Sequence, residues 1–128
     1  METQELTKNK STQEVANQWA QMCREGKNLD CINELYAENI VSREMPGYPE
    51  EIVSGKENVW NKSKKWLDNV EEYHKGEIGD PIVAGNHFTS KMDYDVTFKD
   101  SGRMQMKELG VFEVKDGQIV NEQFFYSM

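Results

Sequence analysis

Apolar and polar residues alternate along His87–Tyr126 with a period of two, and two turn signals cut this run into three strands. In the first, His87 to Phe98, the residues Phe88, Met92, Tyr94, Val96 and Phe98 share one parity, while Lys91, Asp93, Asp95 and Thr97 share the other. Lys99–Gly102 turns the chain, and in the following strand Met104, Met106, Gly110, Phe112 and Val114 form an apolar face with one polar misfit, Glu108. Asp116-Gly117 is a strong hairpin signal and leads into the last strand, Gln118 to Tyr126. Both parities of that strand are half apolar. The set Ile119, Asn121, Gln123 and Phe125 is expected to face inward, with Val120, Glu122, Phe124 and Tyr126 outward. Glu108, Asn121 and Gln123 would then converge on one covered wall, where polar groups cost free energy unless partnered.

The preceding residues change period. Ser11 and Glu14 form a capping-box signature, after which Val15, Trp19, Met22 and Cys23 recur at helical spacing until Gly26 offers a left-handed stop. Asn28 is placed to cap a second, shorter helix with Leu29, Ile32, Leu35 and Tyr36 inward and Glu38-Asn39 at its end. Ile40–Met45 reads as extended, Pro46–Pro49 as a turn and Glu51–Val53 as a short strand. Ser54 and Glu57 repeat the capping box, and Val59, Trp60, Ser63, Trp66, Leu67 and Val70 describe the apolar face of a third helix. Glu71–Ala84 is expected to be one long strand, bulged at Gly79-Asp80-Pro81. Helices gathered on one face of a mostly antiparallel sheet define an α+β fold, with Trp19, Trp66, Phe112 and Ile119 expected in its core.

A chain of 128 residues has room for one core. The domain is expected to occupy residues 11–128, after a polar, frayed stretch over 1–10. The formal charge of −8 argues against nucleic acid or an anionic membrane as partner, and Lys62, Lys64 and Lys65 read as the solvated side of a helix. No apolar run approaches the ~20 residues of a membrane span, and the opening Met1-Glu2-Thr3-Gln4-Glu5 lacks signal-peptide character, so a cytoplasmic protein is expected. Cys23 and Cys31 fall within helical apolar patterns and read as buried free thiols. Leu109, Val111, Val120, Phe124 and Tyr126 load the other sheet face with apolar area, which predicts a homodimer through that face.

This order of elements resembles the nuclear-transport-factor-2-like superfamily, in particular its SnoaL-like and ketosteroid-isomerase-like small bacterial members. The residues that carry the likeness are Tyr36-Ala37-Glu38-Asn39 leading into a strand, Ser54-Gly55-Lys56-Glu57 opening the third helix, and Asp116-Gly117-Gln118-Ile119 before a final aromatic-rich strand. The resemblance implies a cone-shaped, cystatin-like fold in which a curved sheet wraps three helices around a pocket. It also implies either cofactor-free isomerase, cyclase or dehydratase chemistry on a small apolar ligand, or a non-catalytic binding or dimerising domain. In the isomerases a general-base carboxylate lies eight residues after the Tyr of a Tyr-Ala-acid motif, which here is Glu44. Their second carboxylic acid lies on the next-to-last strand, where this chain has Glu108. Their first-helix Tyr has no counterpart among Val15, Trp19 and Met22.

Chemistry therefore concentrates on Glu44 and Glu108. A carboxyl in an apolar cavity holds its proton more tightly, and two sharing one cavity divide into a base and a donor. His74 is the histidine that alternation can turn inward, whereas His87 follows a turn on the polar parity. Trp60, Met92, Tyr94, Asn121, Gln123 and Phe125 are the expected pocket residues, with Glu44 hanging near the mouth. No metal or cofactor site is expected, and Asp93 and Asp95 read as an acidic outer face.

Overall fold

The computed structural model describes residues 10–127. Ten elements follow in order: α1 (Thr12–Arg24), α2 (Asn28–Leu35), β1 (Tyr36–Arg43), β2 (Ile52–Ser54), α3 (Lys56–Asn69), β3 (Val70–Ile78), β4 (Ile82–Ala84), β5 (His87–Phe98), β6 (Gly102–Lys115) and β7 (Gln118–Tyr126). The expected α+β architecture holds: three helices lie against one curved, unclosed sheet of seven strands, ordered β2-β1-β7-β6-β5-β3, with β4 also paired to β5. All neighbours run antiparallel except β1 and β7, which are parallel. The stretch expected to fray, residues 1–10, lies outside the described residues apart from Lys10, whose ammonium donates to Gln18 Oε1 at 2.8 Å.

Helix α1 starts as its sequence dictates. Ser11 Oγ accepts from the Glu14 amide and Glu14 Oε1 accepts from the Ser11 amide, each at 3.0 Å. Gly26 follows the helix at φ 75°, the left-handed conformation that a residue without Cβ adopts freely. Two other helix ends differ from expectation. Helix α2 stops at Leu35, and Tyr36 is already extended, so β1 begins four residues earlier than the Ile40 start expected of it. Tyr36 is needed in the sheet, where it pairs with Ile119. Helix α3 is not held by a Ser54–Glu57 box: Gly55 at φ 93° is its N-cap, and Asn58 Nδ2 instead donates to the Ser54 carbonyl at 3.0 Å.

The long strand expected over Glu71–Ala84 is two strands, β3 and β4, broken at Gly79-Asp80-Pro81, and both pair with β5. Proline has no amide to give a ladder. The Gly79 amide still donates to the Lys91 carbonyl at 2.7 Å, so the interruption has the form of a bulge against β5.

The core lies between α1, α2 and the concave side of β5, β6 and β7. Trp19 packs on Phe88 and Phe112, at ring centroid distances of 5.6 and 4.6 Å, and Phe88 stacks on Phe112 at 4.6 Å. Ile119, Ile40 and Leu35 complete it. Trp66, expected to be buried, is only half-buried because it stands at the edge of a cavity, against Tyr94 and Phe98.

The last strand corrects the largest error of the sequence reading. Val114 pairs with Ile119 and Glu113 with Asn121, so Val120 is an extra residue, a bulge. Such a bulge reverses the facing of every residue beyond it. Ile119 is inward as expected, but past Val120 it is Glu122, Phe124 and Tyr126 that point in, while Asn121, Gln123 and Phe125 point out.

Candidate functional site

Between the helices and the concave sheet face lies a cavity of about 700 Å³. Trp19, Ile32 and Phe112 are among the residues of its apolar wall, and Tyr48, Glu50, Lys65 and Ser101 also border it. Glu44, Glu108, Met92 and Tyr94, all expected at the pocket, line it. The other expected residues do not. Asn121 donates from Nδ2 to Glu113 Oε1 at 2.8 Å on the outer face, Phe125 is 42% exposed, and Gln123 faces out with them. All three follow the Val120 bulge. Trp60 is half-buried, packed against the core, and is not among the residues that line the cavity. His74 is also outside: its Nε2 lies 2.7 Å from Thr97 Oγ1 and its Nδ1 3.1 Å from Glu72 Oε2. That is the same convex face on which Arg103 makes a two-pronged pair with Asp95, at 3.0 and 2.9 Å.

Two groups unforeseen from the sequence complete the site. Lys62, expected on the solvated side of α3, is inside and its side chain is only 17% exposed. Its Nζ donates to Glu44 Oε2 at 2.7 Å and to Ser42 Oγ at 3.1 Å. The signal for this was in the spacing. Lys62 stands three residues after Val59 and four before Trp66, on the helix stripe that those two define. The other two lysines do face solvent, and pair with Asp68 and Glu50. The second group is Glu122, buried on β7, which accepts from the Tyr36 hydroxyl on Oε1 and from Ser42 Oγ on Oε2 at 2.7 Å.

These residues form one hydrogen-bonded chain along the cavity wall, from Tyr36 through Glu122, Ser42, Lys62 and Glu44 to Tyr126, whose hydroxyl donates to Glu44 Oε1 at 2.8 Å. Local structure accounts for each position. Ser42 and Glu122 are register partners across the parallel β1–β7 pair. Glu44 is fixed where its amide donates to the Glu51 carbonyl at 2.8 Å, so its carboxylate sits at the start of the 45–50 turn.

Burial dominates the proton affinities on this wall. Burial pushes the Glu122 carboxyl up from the usual carboxylate range, and the hydrogen bonds from Tyr36 and Ser42 and the charge of Lys62 oppose that push. The Tyr126 hydroxyl is raised by burial and by its bond to Glu44, which keeps it a donor. Glu108 is different in kind. It stands on β6 between its register partners Met92 and Tyr126, and among the described residues no side chain hydrogen-bonds to it. Burial, then the nearby Glu44 charge, raises it to about 7, with Lys62 pulling the other way. Glu44 thus has both oxygens occupied, while Glu108 presents an uncommitted carboxyl that is half protonated near neutrality. Such a group can take a proton from a bound molecule and return it.

Three helices on a curved sheet with a chemically equipped cavity on the concave side are the architecture of the nuclear-transport-factor-2-like superfamily. Within it, the chain belongs to the SnoaL-like domain family, whose model matches residues 10–126. A protein of Mesorhizobium loti described as a candidate SnoaL-like polyketide cyclase is 33% identical over 91% of this chain and 100% of its own, with a TM-score of 0.86. An NTF2-like protein of Burkholderia thailandensis shares the fold at 16% identity, with 92% of each chain covered and a TM-score of 0.78. So does a Catenulispora acidiphila protein of ketosteroid-isomerase-like fold, solved with trimethylamine, at 19% identity, 90% of this chain, 86% of its own and a TM-score of 0.71. No curated protein matches the chain. Among the described residues no helix is long and apolar enough to cross a membrane.

Proposed function

We propose that this SnoaL-like domain binds a small, neutral, enolisable carbonyl compound in its cavity and moves a proton on it without a cofactor, as in isomerisation, cyclisation or dehydration. Glu108 is the acid–base group. The observation that carries this reading is the placement of Glu108: a carboxyl on the cavity wall, desolvated, without a side-chain partner among the described residues, and next to the charge of Glu44. The isomerase resemblance pointed instead to Glu44 as base. The geometry supports a different role for it, since Lys62 and Tyr126 hold its two oxygens and its charge raises the proton affinity of Glu108.

The test is hydrogen exchange at carbon. Cyclic 1,3-diketones and β,γ-unsaturated ketones in D₂O are followed by proton NMR with and without the protein. For at least one compound the C–H signal is expected to decay faster with protein, with a rate that rises through pH about 7, and Glu108→Gln should slow it by about 10²–10⁴-fold. A compound that binds but exchanges no faster than in buffer, across the panel, overturns the reading. A non-catalytic ligand-binding domain then takes its place.

The convex face supports a homodimer. Leu109 and Phe125 are cross-strand partners there at 43% and 42% exposure, and Ile82, 70% exposed, lies on the same face beside Thr89 and Val111. This patch differs from the one expected from sequence, because Phe124 and Tyr126 belong to the cavity and Phe125 replaces them outside.

A further inference from the structure

An ammonium group has three N–H donors, and on Lys62 two are taken, by Ser42 Oγ and Glu44 Oε2. Among the described residues the third has no hydrogen-bond acceptor. The side chain lines the cavity, and its head lies 5.9 Å from the centroid of the Phe124 ring, another cavity residue. It is held in place from below. Ser42 donates its own proton to Glu122, so the oxygen that faces Lys62 offers only lone pairs. Removing so large a charge from water is costly, and partial neutralisation by Glu44 alone would be met as well on the helix surface, where Lys64 and Lys65 make such pairs. Lys62 and Glu108 also feel one another, since the lysine charge pulls the proton affinity of that carboxyl down. Both also line the same cavity, so the two groups address one space.

We propose that Lys62 contacts the substrate, its third N–H stabilising the oxyanion that forms when a carbonyl compound in the cavity loses a proton. This rests on the proton-transfer reading and extends it to the substrate. The C–H bond breaks and its proton goes to a Glu108 oxygen. The C–H electron pair becomes the enolate double bond, and the carbonyl π pair moves onto oxygen, where the Lys62 N–H meets it. Return of the proton from Glu108 to the same or a conjugated carbon restores a neutral product, with no other reactant needed. The favoured substrate is neutral in its ground state, because a ligand already anionic would meet Glu44 and an ionised Glu108 together, whereas an enolate, or a phenolate bound while Glu108 holds its proton, meets the charge of Glu44 alone. Charge appears only in transit, which is where a fixed ammonium contributes most to rate.

The probe is 4-nitrophenol, a planar phenol whose ionised and neutral forms differ in visible absorption. Wild-type protein should bind it preferentially as phenolate and shift its ionisation to lower pH. Lys62→Met keeps the stem over Phe124 and removes the charge, so phenolate affinity should fall by about 10- to 100-fold, while affinity for neutral 4-nitroanisole is kept. If Lys62→Met does not fold by circular dichroism, Lys62→Met with Glu44→Gln removes the pair together and should show the same loss. Glu44→Gln alone should tighten phenolate binding, since the lysine charge is then unopposed. Wild-type protein that does not favour the phenolate, Lys62 variants that bind it as wild type does, or weaker binding in Glu44→Gln would each overturn the proposal. The two readings fail separately. If Glu108→Gln abolishes carbon exchange while Lys62→Met leaves phenolate binding unchanged, only the role of Lys62 is lost. If phenolate binding depends on Lys62 but no carbonyl compound exchanges, the proton-transfer reading is lost and Lys62 remains an anion-binding group.

Discussion

Glu108→Gln should make the protein more stable, and only above a particular pH. In the unfolded chain this carboxyl ionises near its ordinary 4.5, whereas in the folded protein burial and the Glu44 charge hold the proton until about 7. Between those values the folded state carries a proton that the unfolded state has lost. Folding stability therefore falls as pH rises from about 4.5 to about 7, and is flat with respect to this group outside that window. A difference of about 2.5 in pKa corresponds to about 3 kcal/mol, the cost of keeping this carboxylate ionised in the cavity wall at alkaline pH. The groups that face it are Glu44 beyond β1, Lys62 on α3, Tyr94 on β5 and Tyr126 on β7. Glutamine matches the protonated acid in size and cannot ionise. Urea unfolding of both proteins from pH about 4 to about 9 should give a stability difference that is small and constant below the window and favours Glu108→Gln by about 3 kcal/mol above it. Titrating groups that do not interact with Glu108 are common to both chains and cancel in the difference. A difference that stays level with pH would mean that Glu108 ionises alike in both states, and the argument for its acid–base role would go with it.

Gly110→Ala should cost about 1–3 kcal/mol, read as a lower urea midpoint, because an added Cβ would stand 2.8 Å from both Met92 Cε and Phe112 Cε1 and the stacked Phe112 has nowhere to go; unchanged stability would refute this. Static light scattering at micromolar concentration should give the mass of two chains for wild type and of one for Leu109→Glu with Phe125→Glu, and a wild-type mass of one chain would reject the convex-face dimer.

The parts of the site that alternation located are those on unbroken ladders. Strands β5 and β6 pair residue for residue from His87–Glu113 to Phe98–Gly102, so a parity set at Met92 still holds at Tyr94, and the misfit at Glu108 is a real polar group on an apolar wall. Strand β7 was misread for a physical reason. A strand whose two parities are each half apolar, with the apolar members changing side midway, is the sequence form of a bulge, and the extra residue is Val120. Reading Ile119 as inward was sound; carrying its parity past Val120 exchanged Glu122, Phe124 and Tyr126 for Asn121, Gln123 and Phe125. The early start of β1 had no local signal, since Tyr36 fits a helix stripe equally well, and its place in the sheet comes from Ile119 and Glu122, 83 and 86 residues away. The charge of Lys62 and its lysine neighbours suggest the solvated side of α3, whereas its place on the Val59–Trp66 stripe turns it inward.

The arrangement on the cavity wall bears on whether this is a container or a catalyst. Binding a small apolar molecule needs shape and apolar surface, which Trp19, Met92, Phe112 and Phe124 supply. It gains nothing from three carboxyls and an ammonium along one wall, each of which costs free energy to desolvate. Glu122 is committed within the wall itself. Its two oxygens are spent on Tyr36 and Ser42, and through Ser42 it orients the oxygen that steadies Lys62. Glu44 is likewise spent, one oxygen on Lys62 and one on Tyr126. What this costly network leaves uncommitted is one carboxyl, on Glu108, and one N–H, on Lys62, facing the same space. On the proposed reading, a proton acceptor and an oxyanion donor on that wall are the two elements that enolisation requires.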